Sequence, residues 1–292
     1  MEMDGDGRCP ADRAALRPWR VGAARGGWRL AACPECGLIW TLPFTSDAEL
    51  ETLYADRDSK DFVPGDVRVI AAVKDAIARA QLRGMARRLG AVPTAMLDLG
   101  TGNGRYAVVA RALSWPGVCA SDLHECAPDA LSMAEDAVPI RYICQRELSR
   151  HRGAFDFVLH RAVLEHRANP HAALREIHEL LRPGGACYIE VPNIESWSVR
   201  TLGYAAQPLY LPWHRVHFTG RTLEASVRAA GLEPFAGGGK TMPKVADQLQ
   251  YVVAGVPRTV AQVIGAVLQP VQLLAEGMLG RENLWIMARR PR

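Results

Sequence analysis

Ala95-Met96-Leu97-Asp98-Leu99-Gly100-Thr101-Gly102-Asn103-Gly104-Arg105-Tyr106 is the stretch on which the reading of this chain turns. Residues 95–99 form a short apolar run suited to a buried strand. Three glycines break it, and residues 106–113 then have the composition of a helix. Glycine lets the backbone turn sharply and approach a ligand, and the first turn of a helix offers unpaired N–H groups. Asp122, eighteen residues past Gly104, closes the next predicted strand, 118–122. A carboxylate there can accept both ribose hydroxyls of a nucleotide-like ligand. Together these features predict an adenosine-bearing cofactor over the carboxyl edge of a sheet, with Gly100, Thr101, Gly102, Gly104, Asp122 and Leu123 around it.

The loop also satisfies the G-x-G-x-x-A dinucleotide pattern through Gly102, Gly104 and Ala107. Asp98 argues the other way. A carboxylate at the strand end would repel a pyrophosphate, whereas it suits the ammonium of a methionyl group and a nearby sulfonium.

Further strands are predicted at 140–144, 155–160 and 186–191, alternating with helices at 127–134 and 170–181. Such alternation means a parallel sheet wound by right-handed crossovers. Arg182-Pro183-Gly184-Gly185 stops the second of these helices. An aromatic stretch with Trp197, Tyr204, Tyr210 and Trp213 follows, then a helix at 219–230 and a last strand at 284–289. Towards the amino terminus lie a helix at 67–89, a shorter one capped by Thr45-Ser46-Asp47, and two strands, 28–32 and 38–42, flanking Cys33-Pro34-Glu35-Cys36.

The chain has 292 residues, enough for a sizeable core, and its 49% hydrophobic and 23% charged composition excludes disorder as the main state. No unbroken apolar run reaches the roughly 18–20 residues of a bilayer span. Residues 1–10 lack the apolar centre of a secretory signal, which points to the cytoplasm. The net charge, 35 − 31 = +4, is spread along the chain, unlike the basic face of a dedicated nucleic-acid binder. Seven cysteines, an odd number in so large a chain, favour reduced thiols or a metal over a disulfide framework.

These motifs resemble the class I S-adenosylmethionine-dependent methyltransferases. Asp98 to Gly104 is similar to their first motif and Asp122 to their ribose acid. The stretch Phe155-Asp156-Phe157-Val158-Leu159-His160-Arg161-Ala162-Val163-Leu164-Glu165-His166 resembles the segment on and after their fourth strand. Leu181-Arg182-Pro183-Gly184-Gly185 resembles the turn before their fifth. The resemblance implies an α/β fold with a Rossmann-like, doubly wound, mostly parallel sheet, and S-adenosylmethionine as cofactor. His160 would line the cofactor pocket. The family often has Asp on the adenine side after the third strand; here Cys144-Gln145-Arg146 stands there, leaving Gln145 to reach the exocyclic amine.

One branch of the family carries a zinc-ribbon front end, which Cys33-Pro34-Glu35-Cys36-Gly37-Leu38 resembles, together with a later His-x-x-His-Phe element, here His214-Arg215-Val216-His217-Phe218. Many members of that branch are bacterial enzymes acting on glycans or secondary metabolites. The implied organisation is a ribbon-like segment at 1–45, a helical cap at 46–92, the methyltransferase core at 93–243, helical additions at 244–280 and a closing strand at 281–292. A full ribbon has two CxxC knuckles, whereas the first here reads Cys9-Pro10-Ala11-Asp12. Cys9, Asp12, Cys33 and Cys36 would hold one structural Zn2+; a redox pair or a plain turn fits the second knuckle equally.

Methyl transfer from a sulfonium needs alignment and exclusion of water more than covalent help. A hydroxyl acceptor also needs a base, and histidine is poised for it. His166, just past the strand end, is the first candidate; of the covering segment, His217 or His214 is the second, or both pack with Trp213 and Phe218. His124, beside Asp122, is placed near adenine or in solvent. Apolar positions Val260, Val263, Ile264, Val267, Val271, Leu274 and Met278 share a face of a predicted Pro-broken helix pair. That face has three open placements: on the core, in a homodimer interface, or on a membrane. The leading reading is methylation of a small molecule, secondary metabolite or glycan at a hydroxyl, with carbon and nitrogen acceptors open and no nucleic-acid partner. A non-catalytic cofactor binder, a nicotinamide oxidoreductase and a nucleic-acid methyltransferase are the alternatives.

Overall fold

A computed structural model describes residues 7–19, 26–56, 68–123, 126–128, 131, 139–241, 244–253 and 255–292. His124 and most of the helix predicted at 127–134 lie outside the described residues. The amino-terminal part carries strands β1 (Arg17–Pro18), β2 (Arg29–Ala32) and β3 (Ile39–Leu42), then helices α1 (Asp47–Asp56) and α2 (Arg68–Leu89). The core follows as β4 (Ala95–Leu99), α3 (Arg105–Ala112), β5 (Gly117–Ser121), β6 (Arg141–Tyr142), β7 (Phe155–Arg161), α4 (Pro170–Leu180) and β8 (Leu181–Pro192). The remainder is α5 (Trp197–Leu202), β9 (Val216–His217), α6 (Gly220–Ala229), β10 (Glu233–Lys240), α7 (Val245–Val252), α8 (Arg258–Leu279) and β11 (Asn283–Arg289).

The main sheet has the order β10-β11-β8-β7-β4-β5-β6. β4 to β8 pair in parallel, and β11 and β10 run antiparallel at one end. Phe157, Val158 and Leu159 in β7 are all fully buried, as a strand covered on both faces requires. Each such side chain contributes roughly 1.5–3 kcal/mol of burial. α4 starts where the Asn169 side chain accepts from Ala172 N–H and Pro170 takes the first turn, and it buries Ala173, Leu174, Ile177 and Leu180. After β6 the chain returns to the other side of β4 to form β7. The strand order therefore reverses between β4 and β7, where ligands of such sheets bind.

Several expectations change. The strand at 140–144 shortens to Arg141–Tyr142 because Cys144 opens a 3-10 turn. β10 was not foreseen: Gly237-Gly238-Gly239 carries no strand signal, and backbone pairing with β11, from Glu233↔Arg289 to Lys240↔Asn283, makes the strand. The predicted helix pair around Pro270 is one continuous helix, α8. Pro270 and Ala266, whose carbonyl Pro270 cannot bond, both lie on the exposed side, where water can take the missing donor's place. α8 also turns Val263, Val267, Leu274 and Met278 outward and buries Gln272 and Glu276. Its apolar face is thus not packed on the core. By length and composition alone α8 could cross a membrane.

β1, β2 and β3 form a small sheet that β9 completes through Ile39↔His217 and Trp40↔Val216. Cys9, Cys33, Leu38 and Trp40 belong to the same buried cluster as Leu99, Val158 and Val191 of the main sheet. The histidine segment is therefore held between the cysteine-bearing front end and the sheet edge.

Candidate active site

The glycine loop leaves β4 at the reversal point. Gly100 and Thr101 N–H both donate to the Ser121 carbonyl, at 2.8 and 3.0 Å, tying the loop to the end of β5. Gly100 has φ +82° and no room for a side chain: a Cβ would stand 2.2 Å from Val163 Cγ2. Gly102 faces open space, with nothing within 4 Å of a Cβ position, so a cofactor has access there. Gly104, at φ +80°, is the N-cap of α3. Asp98 is buried and accepts from the Thr101 hydroxyl at 2.8 Å. Burial pushes its carboxyl up to about 6.

Asp122 accepts from Gly102 N–H through one oxygen and from Leu123 N–H through the other, both at 2.7 Å. The Leu123 side chain beside it is 72% exposed, an apolar surface open to a flat ring. His160 points from β7 into the loop, with Nδ1 3.0 Å from the Leu99 carbonyl and Nε2 buried without a partner. Gln145 begins the 3-10 turn after β6 and accepts from Arg167 Nη1 at 2.9 Å in the amide orientation that satisfies it. The structure thus brings the loop, Asp98, Asp122, Leu123 and His160 to one edge. Gln145 is engaged with Arg167.

Beyond β7, a turn at Leu164–His166 carries Glu165 and His166 towards the aromatic segment. His166 Nδ1 lies 2.9 Å from the Trp213 carbonyl. The His214 ring packs edge-on against it, with centroids 4.8 Å apart. Burial pulls His166 down to about 4 and pushes Glu165 up to about 8. His214 is likewise drawn well below the usual imidazole range by burial and by His166. His217 does not join them: it is buried in β9, its Nε2 2.9 Å from Thr41 Oγ1, and the same hydroxyl donates to the His214 carbonyl at 2.6 Å. His217 thus braces His214 through Thr41, and it is His214 that packs beside His166.

A third group went unrecognised in the sequence. Glu190 of β8 sits 1% exposed between Arg161 of β7, bidentate at 3.3 Å, and Lys240 of β10 at 2.6 Å. Tyr188 Oη and Asn283 Nδ2 also donate to it, at 2.9 and 3.0 Å. The two cations overcome burial and hold its carboxyl down at about 2. A charge amid the apolar run 186–191 was the available signal.

In the front end, Cys9, Asp12, Cys33 and Cys36 place one donor atom each within 4.8 Å of one another. Cys9 and Cys36 sulfurs are 3.6 Å apart, close to the roughly 3.8 Å edge of a zinc tetrahedron with ~2.3 Å bonds. The Cys33 thiol lies 3.1 and 3.3 Å from the two Asp12 oxygens.

A family model described as a methyltransferase domain matches residues 69–236. The chain is 32% identical over 149 residues to the ubiquinone biosynthesis O-methyltransferase of Ruegeria pomeroyi, covering 48% of this chain and 60% of that protein. It is 35% identical over 89 residues to the tRNA U34 carboxymethyltransferase of Syntrophotalea carbinolica, covering 30% of this chain and 27% of that protein. The chain therefore spans less than two thirds of either relative. Among solved structures, the 1,6-didemethyltoxoflavin-N1-methyltransferase of Burkholderia thailandensis, with bound 1,6-didemethyltoxoflavin and S-adenosylhomocysteine, aligns at a TM-score of 0.53 and 21% identity. That alignment covers 94% of this chain and 100% of the other, and at such identity the likeness is one of fold.

Proposed function

Since the chain belongs to the class I S-adenosylmethionine-dependent methyltransferases, we propose that it O-methylates a hydroxyl of a small molecule, secondary metabolite or glycan. The observation that carries this is one of placement. The glycine loop, Asp98 and Asp122 lie at the carboxyl edge of β4 and β5, and the chain leaving β7 carries Glu165 and His166 out from that edge. S-adenosylmethionine, when bound, supplies a methyl group already activated by its sulfonium. Asp98 suits the ammonium, Asp122 the ribose, and the exposed Leu123 the adenine face. His160 closes the pocket floor, and Gly102 keeps it open. His166, its ring oriented by the Trp213 carbonyl, activates the acceptor hydroxyl. The modest charge favours a small acceptor over a nucleic acid.

His166→Ala is expected to lower methyl transfer roughly 100-fold or more while leaving S-adenosylhomocysteine affinity unchanged. Transfer from labelled S-adenosylmethionine to a panel of phenols and glycans reads the first part, and calorimetry the second. Transfer to amines or carbons alone would remove the hydroxyl reading.

We assign Cys9, Asp12, Cys33 and Cys36 to one structural zinc ion, a closed set that leaves no position for chemistry. The purified chain is expected to carry one equivalent of zinc, and Cys33→Ala to lose it and melt at lower temperature. A zinc-free chain with unchanged melting on zinc addition would dismiss the site.

A further inference from the structure

We propose that Glu165, His166 and His214 form a second cation site, for a divalent first-row transition-metal ion, apart from the cysteine cluster. One donor atom from each of the three lies within 4.8 Å of the others. Glu165 is 2% exposed, yet neither carboxylate oxygen has a hydrogen-bond partner. A desolvated carboxylate requires a donor or a positive charge; without one the group keeps its proton, which a bound cation displaces. The His214 ring offers neither. His214 Nδ1 lies 2.8 Å from the Pro208 carbonyl, which can only accept. The proton of the neutral ring is therefore on Nδ1, and the Nε2 lone pair stands 3.9 Å from Glu165 Oε1. His166 is fixed in the same way by the Trp213 carbonyl. The His214 lone pair and the unpartnered Glu165 oxygens face each other, an arrangement that a cation between them satisfies. An Nδ1–H anchored on a carbonyl, with Nε2 turned to the carboxylate as in His214, is also how metal-binding histidines are held.

The donor set selects the ion. Two imidazoles and one carboxylate suit Zn2+, Co2+, Fe2+ or Mn2+ better than Ca2+ or Mg2+. Three protein ligands leave positions open, unlike the cysteine cluster. An acceptor oxygen can complete the shell, and its hydroxyl then gives its proton to solvent more readily. On this account His166 activates the acceptor as a ligand rather than as a proton acceptor. That last step rests on the proposed O-methylation; the cation site does not.

The test is titration of the full, metal-stripped chain with Mn2+, a poor partner for thiolates, followed by calorimetry and by the electron paramagnetic resonance of free Mn2+. We expect one saturable site. Glu165→Gln and His214→Ala should weaken it about tenfold or more, and Glu224→Gln, a surface carboxylate on α6, should leave it unchanged. S-adenosylhomocysteine binding by each variant shows that it is folded, and His166→Gln gives the same readout should Glu165→Gln fail to fold. Unchanged Mn2+ binding by folded Glu165→Gln, or no saturable binding by the parent chain, overturns the site. S-adenosylhomocysteine binding without Mn2+ binding would sink this proposal alone, whereas Mn2+ binding with no transfer to hydroxyls would sink only the O-methylation reading.

Discussion

Asp122→Ala is expected to weaken S-adenosylhomocysteine binding by about 2–4 kcal/mol, roughly 30- to 1000-fold. Each carboxylate oxygen already accepts one backbone N–H, from Gly102 or Leu123, and each keeps a lone pair for a ribose hydroxyl. Hydrogen bonds to a charged group are worth about 1.5–3 kcal/mol apiece; partial exposure of the residue discounts the sum. Asp122→Asn keeps one acceptor oxygen and should fall between the two proteins. Asp98 adds a pH dependence of definite sign. Its carboxyl is pushed up to about 6 by burial, so it is an anion above that pH and neutral below it. Only the anion attracts the ligand's ammonium. Affinity should therefore fall as the pH drops through about 6, by at most about tenfold per pH unit. Calorimetry between pH 5 and 8 checks both statements, and an Asp122→Ala protein that binds as tightly as its parent would mean the cofactor sits elsewhere.

The parts of this site that could be read in the sequence are those made by contiguous residues. A strand, three glycines and a helix must produce a turn at the strand end, and the parallel pairing of β4 and β5 brings the end of β4, with Asp98, to the end of β5, just past which Asp122 stands. The Glu165, His166 and His214 cluster was only half visible. Forty-eight residues separate His166 from His214, and nothing local says that the 3-10 turn after β7 meets the aromatic segment. Which of His214 and His217 meets His166 was hidden for a related reason. Alternation along β9 puts His217 against Thr41 of β3, and that pairing joins distant parts of the chain. β10 escaped because its three glycines have no side chains to pattern; its existence depends on β11 offering a free edge. The continuity of α8 through Pro270 needed knowledge of which side faces water.

The largest stability effect is expected at Glu190, where replacement by Ala should cost about 3–5 kcal/mol and lower the melting temperature by roughly 10 °C. Size is not the reason. The side chain is 1% exposed and compensates two cations, Arg161 and Lys240, whose side chains are 17% and 14% exposed. Removing it leaves the largely buried Arg161 without its counter-charge and forces Lys240, already pulled down to about 8 by burial, to give up its proton, with Tyr188 and Asn283 deprived of an acceptor. These partners come from β7, β8, β10 and β11, so the cluster ties the antiparallel end of the sheet to the strand that carries His160 and leads to Glu165. Its pH dependence has a fixed sign. The folded carboxyl is held at about 2, below its ordinary 4.5, so its contribution is complete above the ordinary value and disappears as the pH falls towards 2. Acid unfolding of the parent should therefore show a proton uptake that Glu190→Gln lacks, since glutamine keeps much of the shape but cannot titrate. A Glu190→Ala protein melting within a degree or two of the parent would show that Arg161 and Lys240 find water instead, and that the network does not hold the sheet together.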